Sequence, residues 1–175
     1  DLAAGDEARR RFSDSVARTA LEWAALRLQP RPAGYDRIAQ FLARNPGWPS
    51  ADWLAKRAEE SLYGDRKQAA LIKSVFARRA PTTSAGKLAL ARVAVDAGRM
   101  AAASSAVAAV WRQDDLGPAM EQALLREFGH LLTRADHKYR ADRLLYDEKN
   151  APALRAAALA GADVAKLAKA RALVN

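Results

Sequence analysis

The sequence has no cysteine. Disulfide frameworks, thiolate zinc sites and cysteine nucleophiles are excluded with it. Its two histidines, His130 and His137, flank an expected helix break, so they do not share a metal. Neither a metal nor a cofactor is expected. No charge-free run of about 18 apolar residues occurs, so no membrane span is predicted. Residues 1–30 do not read as a signal peptide, because Arg9, Arg10, Arg11, Arg18 and Glu22 interrupt any apolar stretch. The missing cysteine suits cytosol and periplasm alike. β-Branched residues are scarce too: Ile, Val and Thr together number 14 of 175. Strands lose the side chains they favour.

Alanine fills the gap, at 43 of 175 residues. It has the best helix propensity, so the expected class is all-α. Pro46, Pro81, Pro118 and Pro152 fall at spacings of 35, 37 and 34 residues, with Gly64, Gly98, Gly129 and Gly161 between them. Proline starts helices, and glycine ends them by adopting positive φ. A Pro–helix–Gly–helix cadence near 35 residues matches helix-turn-helix repeats. Residues 1–175 are therefore expected as a single α-helical repeat domain. Its arrangement would be a tetratricopeptide-like, right-handed α-α superhelix with a concave face.

The first helix is expected from Asp6 to Leu28, broken by Gln29-Pro30-Arg31-Pro32. A second covers Tyr35 to Arg44, before the hard turn Asn45-Pro46-Gly47-Trp48-Pro49. Ser50 reads as an N-cap for a helix over 51–63, with Leu54, Ala58 and Leu62 inward. Asp65 and Gln68 read as a capping box for a helix over 66–78. Helices 84–97 and 100–112 follow, then one opened by Gly117-Pro118. Thr133-Arg134-Ala135-Asp136 is a capping signature for a helix to about Lys149. Pro152 begins a short helix to Ala160, and a last helix stops uncapped at Asn175. That ending implies a continuing protein.

Catalytic patterns are missing. There is no G-x-S-x-G, no Gly-rich phosphate loop and no H-E-x-x-H. Glu59 and Glu60 are adjacent and point apart on a helix, so they read as a solvated face. Asp136 reads as the capping partner of Thr133, and His137 as structural.

The formal net charge is +9, divided as +2 over 1–50, +5 over 51–100, −1 over 101–150 and +3 over 151–175. Lys56, Arg57, Arg66, Lys67, Arg78 and Arg79 lie in the most basic segment. They are candidate contacts for an anionic polymer such as a glycan strand with acidic stems. Simple solubility of an Ala-rich solenoid is the competing reading and the favoured one. Nucleic acid is disfavoured, since no aromatic interleaving or reader motif accompanies them. Arg9-Arg10-Arg11 reads as a frayed, solvated turn. Trp48, Trp53 and Trp111 invite a sugar-stacking reading, although Trp48 also reads as a plug between repeats.

Two stretches carry a resemblance. Asn45-Pro46-Gly47-Trp48-Pro49, with its following Leu- and Ala-rich helix, resembles a turn in the helical region of soluble lytic murein transglycosylases. Residues 128–145 are similar to a stretch of the same region, carrying Thr133, Asp136, His137, Arg140 and Arg143. The resemblance covers roughly residues 30 to 175. It implies a periplasmic, non-catalytic superhelical domain that partners its own C-terminal lysozyme-like module during cell-wall turnover. That module cleaves peptidoglycan glycan strands to 1,6-anhydromuramic ends, using a Glu-Ser pair and a Gly-Leu-Met-Gln stretch. Here Glu60-Ser61 is the sole Glu-Ser, and Gly-Leu-Met-Gln is absent. The catalytic role is not carried to Glu60, and this chain alone is expected to be inactive. The alternative is a tetratricopeptide-like module binding a peptide or partner helix.

Overall fold

A computed structural model describes residues 2–174. Among them are eleven α-helices, one short 3₁₀ turn over Gly129–Leu131, and no strand. The all-α class follows the composition. The helices are α1 (Leu2–Arg10), α2 (Ser15–Leu28), α3 (Pro30–Arg44), α4 (Ala51–Gly64), α5 (Ala69–Phe76) and α6 (Ser84–Asp96). They continue with α7 (Met100–Gln113), α8 (Pro118–Phe128), α9 (Arg134–Tyr146), α10 (Asn150–Ala160) and α11 (Ala162–Ala172). The expected stop at Asn175 lies outside the described residues. The chain forms two compact units, 1–89 and 90–175, with the boundary inside α6.

In the first unit, the single helix expected over 6–28 is two helices. Asp14 caps the second, accepting a 2.6 Å bond from Ala17 N. An acidic side chain that captures a free N–H starts a helix regardless of good formers upstream. The arginine run is not wholly solvated either. Arg9 Nη1 donates to Glu22 at 2.9 Å, and Arg11 pairs with Glu7. Arg37 Nε and Nη2 grip Glu22 at 2.7 and 2.8 Å, and its Nη1 reaches Asp6 at 3.2 Å. Helix α1 has no fully buried residue, so these charges carry much of its attachment to α2 and α3.

Pro30 opens α3 and Gly34 kinks it at φ 70°, so the regular helix begins where Tyr35 was expected to start it. Leu26, Ile38, Phe41, Leu54 and Ala58 form the core of α2, α3 and α4. Trp48 sits edge-on to Phe41, centroids 6.2 Å apart, and Trp23 Nε1 donates to Pro49 O at 2.8 Å. The 45–49 turn is thereby pinned to the core.

Three expected caps are corrected. Ser50 occupies the N-cap of α4 in a left-handed conformation, φ 63°, and makes no capping bond. Its hydroxyl instead accepts from Arg27 Nη1 at 2.5 Å. The Asp65 carboxylate accepts from Tyr35 N at 3.2 Å, so it does not cap α5. Gln68 takes the N-cap position without a side-chain bond, and α5 runs only over 69–76. At Ser50 and Asp65 a tertiary donor outcompetes the local one.

The most consequential correction is Glu59. It is fully buried rather than solvated. Its carboxylate accepts from Thr82 N and Thr83 N at 2.9 Å each and from Thr83 Oγ1 at 3.0 Å, at the start of α6. Arg79 approaches it at 3.5 Å. A Cβ at Gly86 would stand 2.8 Å from Glu59 Oε2 and 2.9 Å from Pro81 Cβ, so the glycine makes room for this lock.

In the second unit, α9 packs on α7, α10 and α11, and α10 packs on α11. Ala153, Ala156, Ala157 and Ala160 recur at i, i+3, i+4 and i+7 and are all buried. Ala141, Leu144 and Leu145 are the buried apolar residues of α9. Small side chains permit that close approach. The glycine punctuation holds in part. Gly98 and Gly161 adopt positive φ, whereas Gly64 and Gly129 do not. After α4 and α9 the left-handed residue is Arg66 or Glu148, and Lys67 N→Leu62 O and Lys149 N→Leu144 O close the ends.

Two outcomes test this packing by chemical denaturation. Ala157→Leu overpacks a fully buried position and lowers stability by about 1–3 kcal/mol, while Ala158→Leu on the exposed side stays within about 0.5 kcal/mol. Glu59→Ala removes a buried carboxylate that serves two part-buried backbone donors and costs about 2–4 kcal/mol, against less than about 1 kcal/mol for Glu60→Ala.

Candidate functional site

The candidate basic residues of the first unit are dispersed and largely engaged. Lys56 is exposed on α4. Arg57 pairs with Glu60 at 2.7 Å and lies over the Trp53 ring at 5.3 Å. Arg66 is the left-handed residue after α4. Lys67 Nζ donates to Asp36 at 2.6 Å, which raises the ammonium above its ordinary pKa. Arg78 and Arg79 are exposed beyond α5, with Arg79 turned toward Glu59. The set lies on three successive segments.

The tryptophans divide. Arg27 lies over both Trp23 and Trp53, at 5.4 and 5.2 Å, so guanidinium groups occupy the Trp53 face. Trp111 is fully buried and cannot stack a sugar. Trp48 is half-buried against Phe41.

The motif residues of the second unit do converge. Thr133 and Asp136 form the expected capping box. Thr133 N and Oγ1 donate to Asp136 Oδ2 at 2.7 and 2.6 Å, and Asp136 N donates back to Thr133 Oγ1 at 3.2 Å. Arg112 Nε reaches the other carboxylate oxygen at 2.6 Å. Burial pushes this carboxyl up, but the Thr133 hydroxyl and amide and Arg112 more than reverse it, holding Asp136 below its ordinary pKa.

One turn on, Arg140 is only 1% exposed. Its Nη1 donates to Trp111 O at 2.7 Å and Asp114 O at 3.2 Å, and its Nη2 to Glu121 at 3.2 Å. The guanidinium lies 4.4 Å from the Trp111 ring centroid. Arg155 Nε completes Glu121 at 2.7 Å. Arg143 reaches Asp115 and Asp147 at 3.3 Å each. His137 stands edge-on to Trp111, ring centroids 5.3 Å apart. Burial pushes its imidazole below the ordinary pKa, partly opposed by Asp136. Sequence reasoning found Asp136 and His137 as structural but missed Glu121 and Arg155. Their helical positions carry no local sign of the buried guanidinium they serve.

The carboxylates of this constellation accept from Arg and Thr groups, its imidazole lies against an indole, and Arg140 donates to two backbone carbonyls and to Glu121, while Arg140 Nε and His137 Nδ1 have no partner among the described residues. It is a clamp between helices. Comparison with family models, curated proteins and solved structures yields no match.

The clamp gives stability a pH signature. A histidine whose folded pKa is lowered favours its neutral form on folding. Its contribution is complete above the unfolded value near 6.5 and is lost as pH falls through the folded one. Asp136, held low, keeps its contribution down to about pH 4 and loses it below. Unfolding free energy of the intact protein is expected to decline as pH drops below about 6.5. His137→Phe flattens that decline and leaves the loss below pH 4 in place. An unchanged profile between pH 7 and 5 would refute this account.

Proposed function

We propose that this chain is the non-catalytic superhelical domain of a periplasmic peptidoglycan lytic transglycosylase. Its role is to position a C-terminal catalytic module and guide a glycan strand during cell-wall turnover. The observation that carries the reading is the use made of residues 128–145. In that stretch Thr133, Asp136, His137, Arg140 and Arg143 serve as a cap, buried packing and a charge clamp. Residues so employed support reading the stretch as a structural part rather than a reaction centre. Glu60, of the sole Glu-Ser, pairs with Arg57 on α4 at 2.7 Å.

Repeat character is supported by order of contact. Helix α1 packs on α2, α2 on α3, α3 on α4, α9 on α10 and α10 on α11. Neighbours in sequence being neighbours in space is the habit of solenoids. The right-handed superhelix belongs to the proposal, as do the strand-guiding face and the compartment.

Co-sedimentation with purified peptidoglycan sacculi tests it. Retention at low salt, fading as salt rises, with no muropeptide released, is the expected result. Failure to sediment at low salt removes the strand-guiding role. Anhydro-muropeptides released by this chain alone remove the non-catalytic one.

A further inference from the structure

A cleft of about 420 Å³ opens among α1, α2 and α3, a volume in the range of small-molecule sites. Five arginines line it: Arg9, Arg10, Arg18, Arg37 and Arg44. Glu22 is the single acidic residue of its wall among the described residues.

Two of these arginines are already satisfied. Arg37 and Arg9 are tied to Glu22 and to Asp6 behind it. Two carboxylates therefore serve two guanidiniums. Arg10, Arg18 and Arg44 remain, one from each of three helices, all solvent-exposed and none joined to a carboxylate among the described residues. The cleft thus carries an excess of about three positive charges, on a wall that the Asp6–Arg37–Glu22 cluster has already fixed. Gln40 and Ser15 add neutral polar groups, and buried Phe41 forms part of the lining. Like charges brought together by folding cost free energy unless an anion joins them.

We propose that this cleft binds a compact polyphosphate group, of the diphosphate or triphosphate class, as carried by a phosphorylated small molecule. Arginine suits phosphate and carboxylate alike. Two features favour phosphate. The free guanidiniums come from three elements, and a tetrahedral oxyanion accepts from several directions where a carboxylate accepts in one plane. The uncompensated charge also matches that of a diphosphate near neutral pH. The site lies apart from the basic residues of α4 and α5, and it stands or falls independently of the glycan-guiding role.

Pyrophosphate is the probe, titrated calorimetrically into the full chain at constant ionic strength set with sodium chloride. One equivalent is expected to bind with a Kd below about 1 mM. Arg18→Gln and Arg44→Gln each weaken it about tenfold or more, because each removes a charged hydrogen bond. Neither side chain is buried or ion-paired, and unchanged melting curves confirm that both variants fold. Lys166→Gln, an equal change of charge on α11, leaves binding as it was. Citrate separates the chemistries, and it should bind at least tenfold more weakly. The proposal is overturned if pyrophosphate gives no heat beyond chloride, if the two arginine variants bind as the parent does, or if citrate binds equally well.

Discussion

Every helix leaves about four N–H groups at one end and four C=O groups at the other without intrahelical partners. A chain this rich in short helices has many such ends, and some of them are buried. The architecture depends on how these are met. Arg140 meets the end of α7 by donating to Trp111 O and Asp114 O. Glu59 meets the start of α6 by accepting from Thr82 N and Thr83 N. Asp136 does the same for α9. Each charge has the sign that the helix dipole favours at that end, cation at the C-terminus and anion at the N-terminus. Glu121 follows the rule as well, since it lies in the first turn of α8.

The apolar core explains why such devices are needed. Among the described residues, twelve of twenty-nine buried apolar side chains are alanine. An alanine buries little surface, and hydrophobic stabilisation scales with buried area. Alanine also lacks the shape that fixes one helix register over another. A buried charge cluster supplies that selectivity, because a slip by one residue would leave a desolvated carboxylate or guanidinium unpaired at a cost of several kcal/mol. The buried Glu121–Arg140 pair joins two helices in this way, with the exposed Arg155 adding a third, and the part-buried Asp6–Arg37–Glu22 cluster joins α1, α2 and α3. The π face of Trp111 shares in holding Arg140, where water would otherwise be required.

What was legible in the sequence follows from the same physics. Helix class came from alanine, and most boundaries came from Pro, Gly and the T-x-x-D cap, all local signals. The inward faces of α4 and α9 came from spacing. One failure was local, the Asp14 cap that divides the first expected helix, and the others were long-range. Glu59 looked like a solvated neighbour of Glu60 because its partners lie 23 and 24 residues away. Ser50 and Asp65 looked like caps because their true partners, Arg27 and Tyr35, lie in other helices. Arg140 carried no sign of burial, since its acceptors are backbone carbonyls that any sequence would supply.

Charge shows the limit most clearly. Counted by segment, residues 51–100 hold the largest excess, +5, and residues 1–50 only +2. Pairing crosses those boundaries. Lys67 takes Asp36 from the first segment, while Arg57 and Arg79 turn to Glu60 and Glu59 of their own. Of these pairs only Lys67–Asp36 lowers the larger excess, because Glu59 and Glu60 are already counted in it. In the first segment, Arg37 and Arg9 claim Glu22 and Asp6 together, and Arg10, Arg18 and Arg44 are left beside them in one cleft. Net charge measures how many cations a stretch contains. Local potential depends on which carboxylates the fold has already assigned, and a count by segment does not record that assignment.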